Sequence, residues 1–144
     1  MTYCTIADLE KIVPNQDLIE LTDDTVPAAT IVTANVDKAI ADAGELIDGY
    51  LRANYSLPLT PAPGLINTLA ADIAVYRLYA RRVKLTPPEG VAERYKNALK
   101  LLDQIQKGTI KLGAGAASTS EAISESVSVS ADDRIFTRTT MEKY

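Results

Sequence analysis

The chain has 144 residues, 47% of them hydrophobic, with a formal net charge of −4 and no histidine. A length of this order suits one domain. The acidic charge disfavours tight DNA binding, because proteins that grip phosphates usually carry a basic patch. The lack of imidazole excludes Ser–His and Cys–His nucleophile pairs.

The single cysteine, Cys4, excludes an intrachain disulfide and fits a reducing compartment. We interpret Cys4 as a small, half-buried structural residue. No apolar run reaches the roughly 18 residues that a membrane span needs, and the first five residues lack the basic-then-apolar layout of a signal peptide. We therefore expect the protein to be made and used in the cytosol, without membrane contact.

The first 30 residues predict two short helices and a loop. Thr5 and Asp8 have the spacing of an N-cap with an acid at the third helical position, and Pro14 stops the helix that follows. Residues 17–21 can form a further turn or two. Residues 22–29, which contain Asp23, Asp24 and a proline, are typical of a loop.

Three long amphipathic helices are predicted next, at about 33–54, 65–83 and 88–108, separated by proline-rich breaks. The apolar stripe of the second is the widest, which makes it the candidate central helix. Pro88 suits the first turn of the third helix, and Gly108 is placed to end it. The stripes predict packing residues for the core and for contacts between subunits, namely Val36, Ile40, Ile47, Tyr50, Leu69, Ile73, Tyr76, Tyr95, Leu102 and Ile105.

The character of the sequence changes after Gly108. Residues 113–120 are small and flexible like a linker, and 124–130 alternate as in a weak strand. The end regains apolar residues that an isolated tail cannot bury. We therefore predict a helical domain at 1–108 and a flexible linker with a docking arm at 109–144, ordered by a partner; the alternative is a tail folded back on its own helices. The predicted docking residues are Arg134, Ile135, Phe136, Arg138, Met141 and Tyr144.

Charged residues give no sign of catalysis. We interpret Arg77, Arg81, Arg82 and Lys84 as a solvated face, and the adjacent acids Asp23 and Asp24, like Asp132 and Asp133, as solvated or capping residues. Metal-ligand spacings and phosphate-binding glycine motifs are absent from the sequence. We therefore assign no catalytic, cofactor-binding or metal-binding residue and expect a non-enzymatic protein without cofactors.

Several segments in order resemble one known family. They are the opening Tyr3-x-Thr-x-x-Asp-Leu9, the segments 45–59, 69–79 and 93–99, and the ending Phe136-Thr-Arg-Thr-Thr-Met141. Together they resemble the small structural proteins encoded among the head genes of Mu-like phages and prophages. The resemblance spans nearly the whole chain except residues 113–130.

This resemblance implies a helical head–tail joining protein of the virion, similar to the connector subunits of long-tailed phages. Those subunits form rings, commonly of twelve, below the portal, where the ring continues the DNA channel. The implied partners are the portal protein, a tail terminator or stopper protein, further copies of the chain, and passing DNA bound without sequence specificity.

The sequence leaves two alternative functions open beside that of a head–tail connector. One is a different neck station, such as a tail-completion or stopper protein. The other is a small helical DNA-binding regulator, which would need a short turn between two helices and a basic recognition helix. The proline-rich helix junctions and the acidic charge argue against that regulator.

Overall fold

A computed structural model describes residues 2–113 as an arrangement of five α-helices and no strands, which confirms the predicted all-α class. The elements are α1 (Ile6–Glu10), α2 (Asn15–Thr22), α3 (Thr33–Leu51), α4 (Gly64–Ala80) and α5 (Glu89–Gln106). The predicted linker, the weak strand at 124–130 and the docking arm from 114 onwards lie outside the described residues. None of the five helices is long and apolar enough to cross a membrane.

The N-terminal segment is fixed by polar contacts at the start of α1. The Asp8 carboxylate accepts hydrogen bonds from the backbone N–H and the hydroxyl of Thr5, at 3.0 and 2.9 Å, so the predicted pairing of these two residues is confirmed. The Asn67 side chain of α4 donates to the Tyr3 carbonyl at 2.9 Å and to Asp8 at 3.2 Å. These bonds seat α1 against the first turns of α4.

Thr22 joins the end of α2 to the start of α3. Its fully buried hydroxyl donates to the Leu18 carbonyl at 2.7 Å and accepts from the Val32 N–H at 3.1 Å. The Asn35 side chain donates to the Thr22 carbonyl at 2.7 Å. A β-branched hydroxyl residue at a helix end thus satisfies backbone groups that the helix leaves without partners.

The central helix is α4, as its wide apolar stripe predicted. It packs against all four other helices. It ends at Ala80, a turn earlier than predicted, because Arg81 and Arg82 turn towards the α2–α3 loop (residues 23–32). Its buried side chains lie on more than one face: Ile66, Leu69, Ala70, Ala71, Asp72, Ile73, Ala74, Val75 and Leu78.

Helix α5 ends as the position of Gly108 predicted. Gly108 has φ = 76°, its N–H donates to the Ile105 carbonyl at 3.0 Å, and the Thr109 N–H donates to the Gln104 carbonyl at 2.9 Å. This pair of bonds is a Schellman motif, in which a glycine adopts the left-handed conformation at low steric cost. The chain then returns to the core, where Leu112 is buried and its N–H donates to the Tyr55 hydroxyl at 3.1 Å.

The helix ends gather at two poles of the bundle. At one pole, the side chain of Asn54, shortly after α3, donates to the Ile105 carbonyl at 3.4 Å. Residues 110–113, the last that the structure describes, lie at this pole. At the other pole, Arg81 at the end of α4 donates to the Leu21 carbonyl at 2.9 Å.

Antiparallel α3 and α4 form the middle of the bundle. Both contact α2 and α5, while α5 has no substantial contact with α1 or α2. Helices α2 and α5 therefore cover opposite sides of the α3–α4 pair.

Candidate functional site

The predicted docking residues of the arm lie outside the part of the chain that the structure describes. They are Arg134, Ile135, Phe136, Arg138, Met141 and Tyr144. The division of the chain after residue 108 also stays a prediction. The candidate site within residues 2–113 is therefore the surface of the helical bundle, at its poles and along its outer helices.

The residues predicted for core and ring packing divide into two groups. Seven are buried inside the subunit: Val36, Ile40, Ile47, Leu69, Ile73, Leu102 and Ile105. Tyr50, Tyr76 and Tyr95 are partly exposed. Of these ten residues, only the three tyrosines present side-chain surface to a neighbouring molecule. Their contribution to a ring stays a prediction.

Tyr76 of α4 and Tyr95 of α5 stack on each other. Their ring centroids are 4.0 Å apart and their planes differ by 5°. Tyrosine pairs of this kind bury a large apolar area and leave the hydroxyl ends available for polar contacts. The stack fixes α5 against the central helix close to the outer surface of the bundle.

Two arginines bind the α2–α3 loop at the pole opposite residue 113. Arg81 donates to both Asp24 oxygens, at 2.9 and 2.8 Å, and to the Leu21 carbonyl at 2.9 Å. Arg82 donates to the Asp23 carbonyl and, at 3.2 Å, to Asp24. The two arginines remain at the surface, as expected, but they also bind the loop and are not merely solvated. A bidentate guanidinium–carboxylate pair orients both partners, and here it joins two loops that are far apart in sequence.

The Asp23 carboxylate closes its own loop and is buried, so the expectation of a solvated or helix-capping residue is wrong for Asp23, and α3 begins at Thr33 without a side-chain cap. It accepts hydrogen bonds from the backbone N–H groups of Thr25, Ala29 and Thr30, at 2.9, 3.0 and 3.3 Å. The bonds from Ala29 and Thr25 hold the pKa of Asp23 well below its usual range. The neighbouring Asp24 also has a lowered pKa, mainly through its hydrogen bond with Arg81.

The two joined loops each present a valine to solvent. Val26 of the α2–α3 loop is 97% exposed and Val83 of the α4–α5 loop is 99% exposed. Single exposed apolar residues are common on protein surfaces. The hydrogen bonds of Arg81 and Arg82 join the two loops, so both valines lie at the same pole of the bundle.

A groove of about 230 Å³ runs between α3 and α4 near the same pole. Lys38, Asp42 and Arg77 are among the residues that line it. Lys38 pairs with Asp42 at 3.2 Å, one helical turn away. The Arg77 Nε atom is buried without a hydrogen-bond partner among the described residues.

Asp72 is the acidic residue that sequence analysis missed. It lies on the central helix facing α5 and is only 9% exposed. Burial raises the pKa of its carboxyl group, and the charge of Arg94 partly offsets this effect. The sequence feature that could have revealed its burial is a single acid within the widest apolar stripe, at Leu69–Val75. The stripe itself predicted that residues on several faces of this helix would be buried.

The N-terminal segment before α1 contributes two buried groups. The Tyr3 hydroxyl donates to the Asp48 carboxylate of α3, and burial, followed by this bond, raises the pKa of Tyr3 to about 12. Cys4 is buried more fully than expected, and burial raises the pKa of its thiol to about 11. Near neutral pH Cys4 is therefore protonated and a poor nucleophile, as a structural residue would be. Residues 2–113 contain no group of three or more acidic or cysteine side chains placed to hold a metal ion.

Comparison with known proteins decides the family. The family model described as "Bacteriophage Mu, Gp36" matches residues 3–131. The chain belongs to this family. It is 29% identical to "Gene product J" of Escherichia phage Mu over 139 residues, which cover 96% of each chain. It is also 30% identical over 86 residues to "Mu-like prophage FluMu protein gp36" of Haemophilus influenzae, which covers 60% of this chain and 58% of that protein.

Membership of the Mu Gp36 family confirms the resemblance drawn from the sequence segments. The match begins at Tyr3 and runs through all five helices. It also includes residues 114–131, beyond the described bundle. The protein is therefore of bacteriophage type, and the helical bundle is the described part of a Mu Gp36 chain.

Proposed function

We propose that this chain is a non-enzymatic structural protein of the virion that connects the head of a tailed phage to its tail. Copies form a ring, of twelve subunits as in connectors of long-tailed phages, below the portal protein. The ring extends the DNA channel and docks the next neck or tail component. The observation that carries this proposal is the nearly full-length relationship to a phage Mu gene product.

The packing of the bundle supports a ring subunit. A closed ring needs two different faces on each subunit, because each copy contacts one neighbour on either side. Helices α2 and α5 lie on opposite sides of the α3–α4 pair, and no other helix of residues 2–113 covers their outer surfaces. The five-helix domain thus offers two separate faces for side-by-side contacts.

The chain beyond the bundle supports contact with a different protein. Residues 110–113 leave from one pole, and 31 residues follow, from 114 to 144. At an extended length of about 3.3 Å per residue, this segment can reach well beyond one subunit. We propose that its Ile135, Phe136, Met141 and Tyr144 enter pockets of the portal protein, with Arg134 and Arg138 pairing with acids there.

The charge of the chain suits a channel through which DNA passes. A net charge of −4 disfavours tight association with phosphates, whereas a basic lining would hold the DNA by releasing counterions. Arg81 and Arg82 are also engaged in bonds to the α2–α3 loop. We therefore propose that DNA passes without sequence-specific binding and that the protein requires no cofactor.

Disruption of the gene tests the connector role directly. We expect lysates to contain DNA-filled heads and separate tails, and a plasmid copy of the gene to restore joined particles. Electron microscopy of particles separated on a gradient measures the two populations. Normal joined particles after disruption would overturn the proposal, and a reconstruction of the wild-type neck would show which station the chain occupies.

Truncation after Gly113 tests the arm. The described bundle ends here with Leu112 already buried, so the shortened chain retains all five helices. We expect it to keep its melting temperature and to lose capture by immobilised portal protein. A single exchange of Phe136→Ala in the full chain should weaken capture in the same direction. Undiminished capture by the truncated chain would remove the arm from the mechanism.

A further inference from the structure

Four side chains meet where α5 lies along the central helix α4. Asp72 and Tyr76, one turn apart on α4, both face α5. Arg94 and Tyr95 are consecutive on α5. The Nε atom of Arg94 lies 3.5 Å from Oδ1 of Asp72, and the ring of Tyr95 stacks on that of Tyr76. We call these four residues the α4–α5 seam, which combines a charge pair with an aromatic pair.

The polar groups of the α4–α5 seam lack partners within residues 2–113. Oδ1 of Asp72 is buried and accepts no hydrogen bond from this part of the chain. Arg94 forms no hydrogen bond there either, although a guanidinium group has five N–H donors. The hydroxyl groups of Tyr76 and Tyr95 are likewise without a partner in the described bundle. Because buried polar groups in native proteins nearly always have a partner, the Asp72 carboxylate indicates a donor from outside the bundle.

The α4–α5 seam is accessible to a neighbouring molecule. The Arg94 side chain is 52% exposed, the Asp72 side chain keeps 11% of its surface, and both tyrosines are partly exposed. Tyrosine and arginine are among the residues that dominate the binding energy of interfaces, and tyrosine loses little conformational freedom on binding. The seam therefore has the composition of an interface centre, with a carboxylate that an incoming donor would satisfy.

We propose that the α4–α5 seam is the contact surface for a neighbouring copy of the chain in the ring. A hydrogen-bond donor of that copy satisfies the Asp72 carboxylate, and its oxygen atoms accept hydrogen bonds from Arg94 and the two tyrosine hydroxyl groups. The inference rests on the proposed function, because a closed ring places a like copy against each side of the subunit. It specifies which surface the subunit uses on one of these sides.

The position of the seam along the bundle favours a like copy as its occupant. Asp72 lies at the midpoint of α4 (Gly64–Ala80), whereas residues 110–113 and the joined loops lie at the two poles. If the arm reaches the portal from one pole, the poles point along the ring axis, and the portal and tail components meet the poles. The long sides of the bundle, and the seam with them, then face the neighbouring subunits.

Asp72→Asn separates assembly from stability. The exchange removes a buried charge and should make the isolated chain more stable, yet it deprives the neighbour's donor of a charged acceptor. The full chain is supplied from a plasmid to the phage with the disrupted gene. We expect on the order of tenfold fewer plaques with Asp72→Asn. The matched control Asp103→Asn should leave the yield unchanged, since this more exposed carboxylate is already paired with Lys107.

Tyr76→Phe/Tyr95→Phe is a second variant that leaves the fold intact. It keeps both rings of the stack and removes only hydroxyl groups that have no partner within residues 2–113. The melting temperature of the purified variant should therefore match that of the parent chain. The plaque yield should fall in the same direction as with Asp72→Asn, because the neighbouring copy loses two hydrogen-bonding groups.

Photocrosslinking identifies the molecule that lies on the seam. Tyr95 is exchanged for the photoreactive p-benzoylphenylalanine in a plasmid-borne full chain, which is produced during infection by the wild-type phage so that both forms enter the particles. Purified particles are then irradiated. We expect a crosslinked species of twice the mass of the chain, in which mass spectrometry finds peptides of two copies joined at position 95.

Three outcomes overturn the seam contact. They are wild-type yield with Asp72→Asn, an equal defect with Asp103→Asn, and irradiated particles without a crosslink between two copies, including particles in which position 95 is joined to its own chain or to a different protein. The connector role fails by another result, namely joined particles after gene disruption. Separated heads and tails after disruption, together with full complementation by Asp72→Asn, would overturn this contact and leave the connector role standing.

Discussion

Nε of Arg94 lies 3.5 Å from Oδ1 of Asp72, yet this buried oxygen accepts no hydrogen bond from residues 2–113. The two side chains join α4 to α5 by charge alone, with Arg94 about half exposed to water. A buried carboxylate without a donor keeps much of its desolvation penalty, because a distant or solvated partner returns little of it. Asp72 is therefore an unfavourable residue for the stability of the isolated subunit.

Asp72→Asn is expected to stabilise the isolated chain at pH 7. The exchange removes the buried charge at nearly constant volume, and we expect the free energy of unfolding to rise by about 1 kcal/mol. Urea denaturation followed by circular dichroism measures the change. Asp103→Asn is the matched control, since Asp103 is more exposed and pairs with Lys107; it should bring no gain. A loss of stability in Asp72→Asn would show that the charge is favourable.

The advantage of Asp72→Asn should shrink as the pH falls. Burial raises the pKa of Asp72 in the folded chain above the ordinary value of 3.8, so the folded state binds this proton more tightly than the unfolded state. The folded parent chain therefore gains stability, relative to the variant, as the pH falls through the folded pKa towards the unfolded pKa. Denaturation of both chains between pH 7 and pH 4 checks the sign. A difference that stays constant or grows on acidification would contradict it.

The contributions of the Asp8 and Asp23 carboxylates to stability should depend on pH in the opposite direction. Their pKa values are lowered, for Asp8 mainly by Lys11 and for Asp23 by backbone N–H groups. Their stabilising contribution is present above the ordinary pKa of 3.8 and is lost as the pH falls towards their folded values. We expect the Asp8→Asn variant to be less stable than the parent chain at pH 7 and to approach it near pH 2. If the difference in stability between the two chains does not narrow on acidification, the lowered pKa of Asp8 is not its cause.

The regular parts of the fold could be predicted from residue spacing. The three long helices follow from apolar stripes, and the end of α5 follows from Gly108, because these signals act within a few residues. The central position of α4 follows from the width of its stripe. These features depend on local sequence and on how much of each helix is apolar.

The surface roles of single charges could not be predicted in the same way. Arg81 and Asp24 are 57 positions apart, and no spacing rule indicates that they meet. The burial of Asp72 opposite Arg94 likewise depends on the side of α4 that α5 covers. Of the candidate site, the sequence therefore indicated the family and the apolar arm, whereas the joined loops and the burial of Asp72 required the packing of the helices.

Thr22→Val should destabilise the junction of α2 and α3. The exchange keeps the shape of the side chain but removes the acceptor for the Val32 N–H and the bond to the Leu18 carbonyl. Because Thr22 is fully buried, we expect a loss of about 1–3 kcal/mol in the free energy of unfolding. The control is Thr68→Val, which removes a similar bond to Gly64 on an exposed helix surface. Equal losses in both variants would contradict a special role for Thr22.

Arg81→Ala should loosen the pole formed by the two joined loops. It removes the paired bonds to Asp24 and the bond to the Leu21 carbonyl, and we expect a loss of about 1 kcal/mol. Arg81→Lys should recover only part of this loss, because an ammonium group cannot make the bidentate contact. Thermal unfolding of the variants measures the effect. Lys84→Ala, in the same loop but without an ion pair in the described structure, should be neutral; equal stability of Arg81→Ala and Lys84→Ala would refute the prediction.

Tyr55→Phe should release the chain where it leaves the bundle. Within residues 2–113, the Leu112 N–H donates its hydrogen bond to the Tyr55 hydroxyl, and Lys111 directly precedes Leu112. Its removal should favour local opening by about 1 kcal/mol, which raises the rate of trypsin cleavage after Lys111 about fivefold when opening and closing are fast. Tyr50→Phe, which changes a partly exposed tyrosine of α3, is the matched control. Mass spectrometry of timed digests measures cleavage after Lys111 against cleavage after Lys11. An unchanged ratio in Tyr55→Phe would mean that the buried Leu112 side chain alone holds this segment to the bundle.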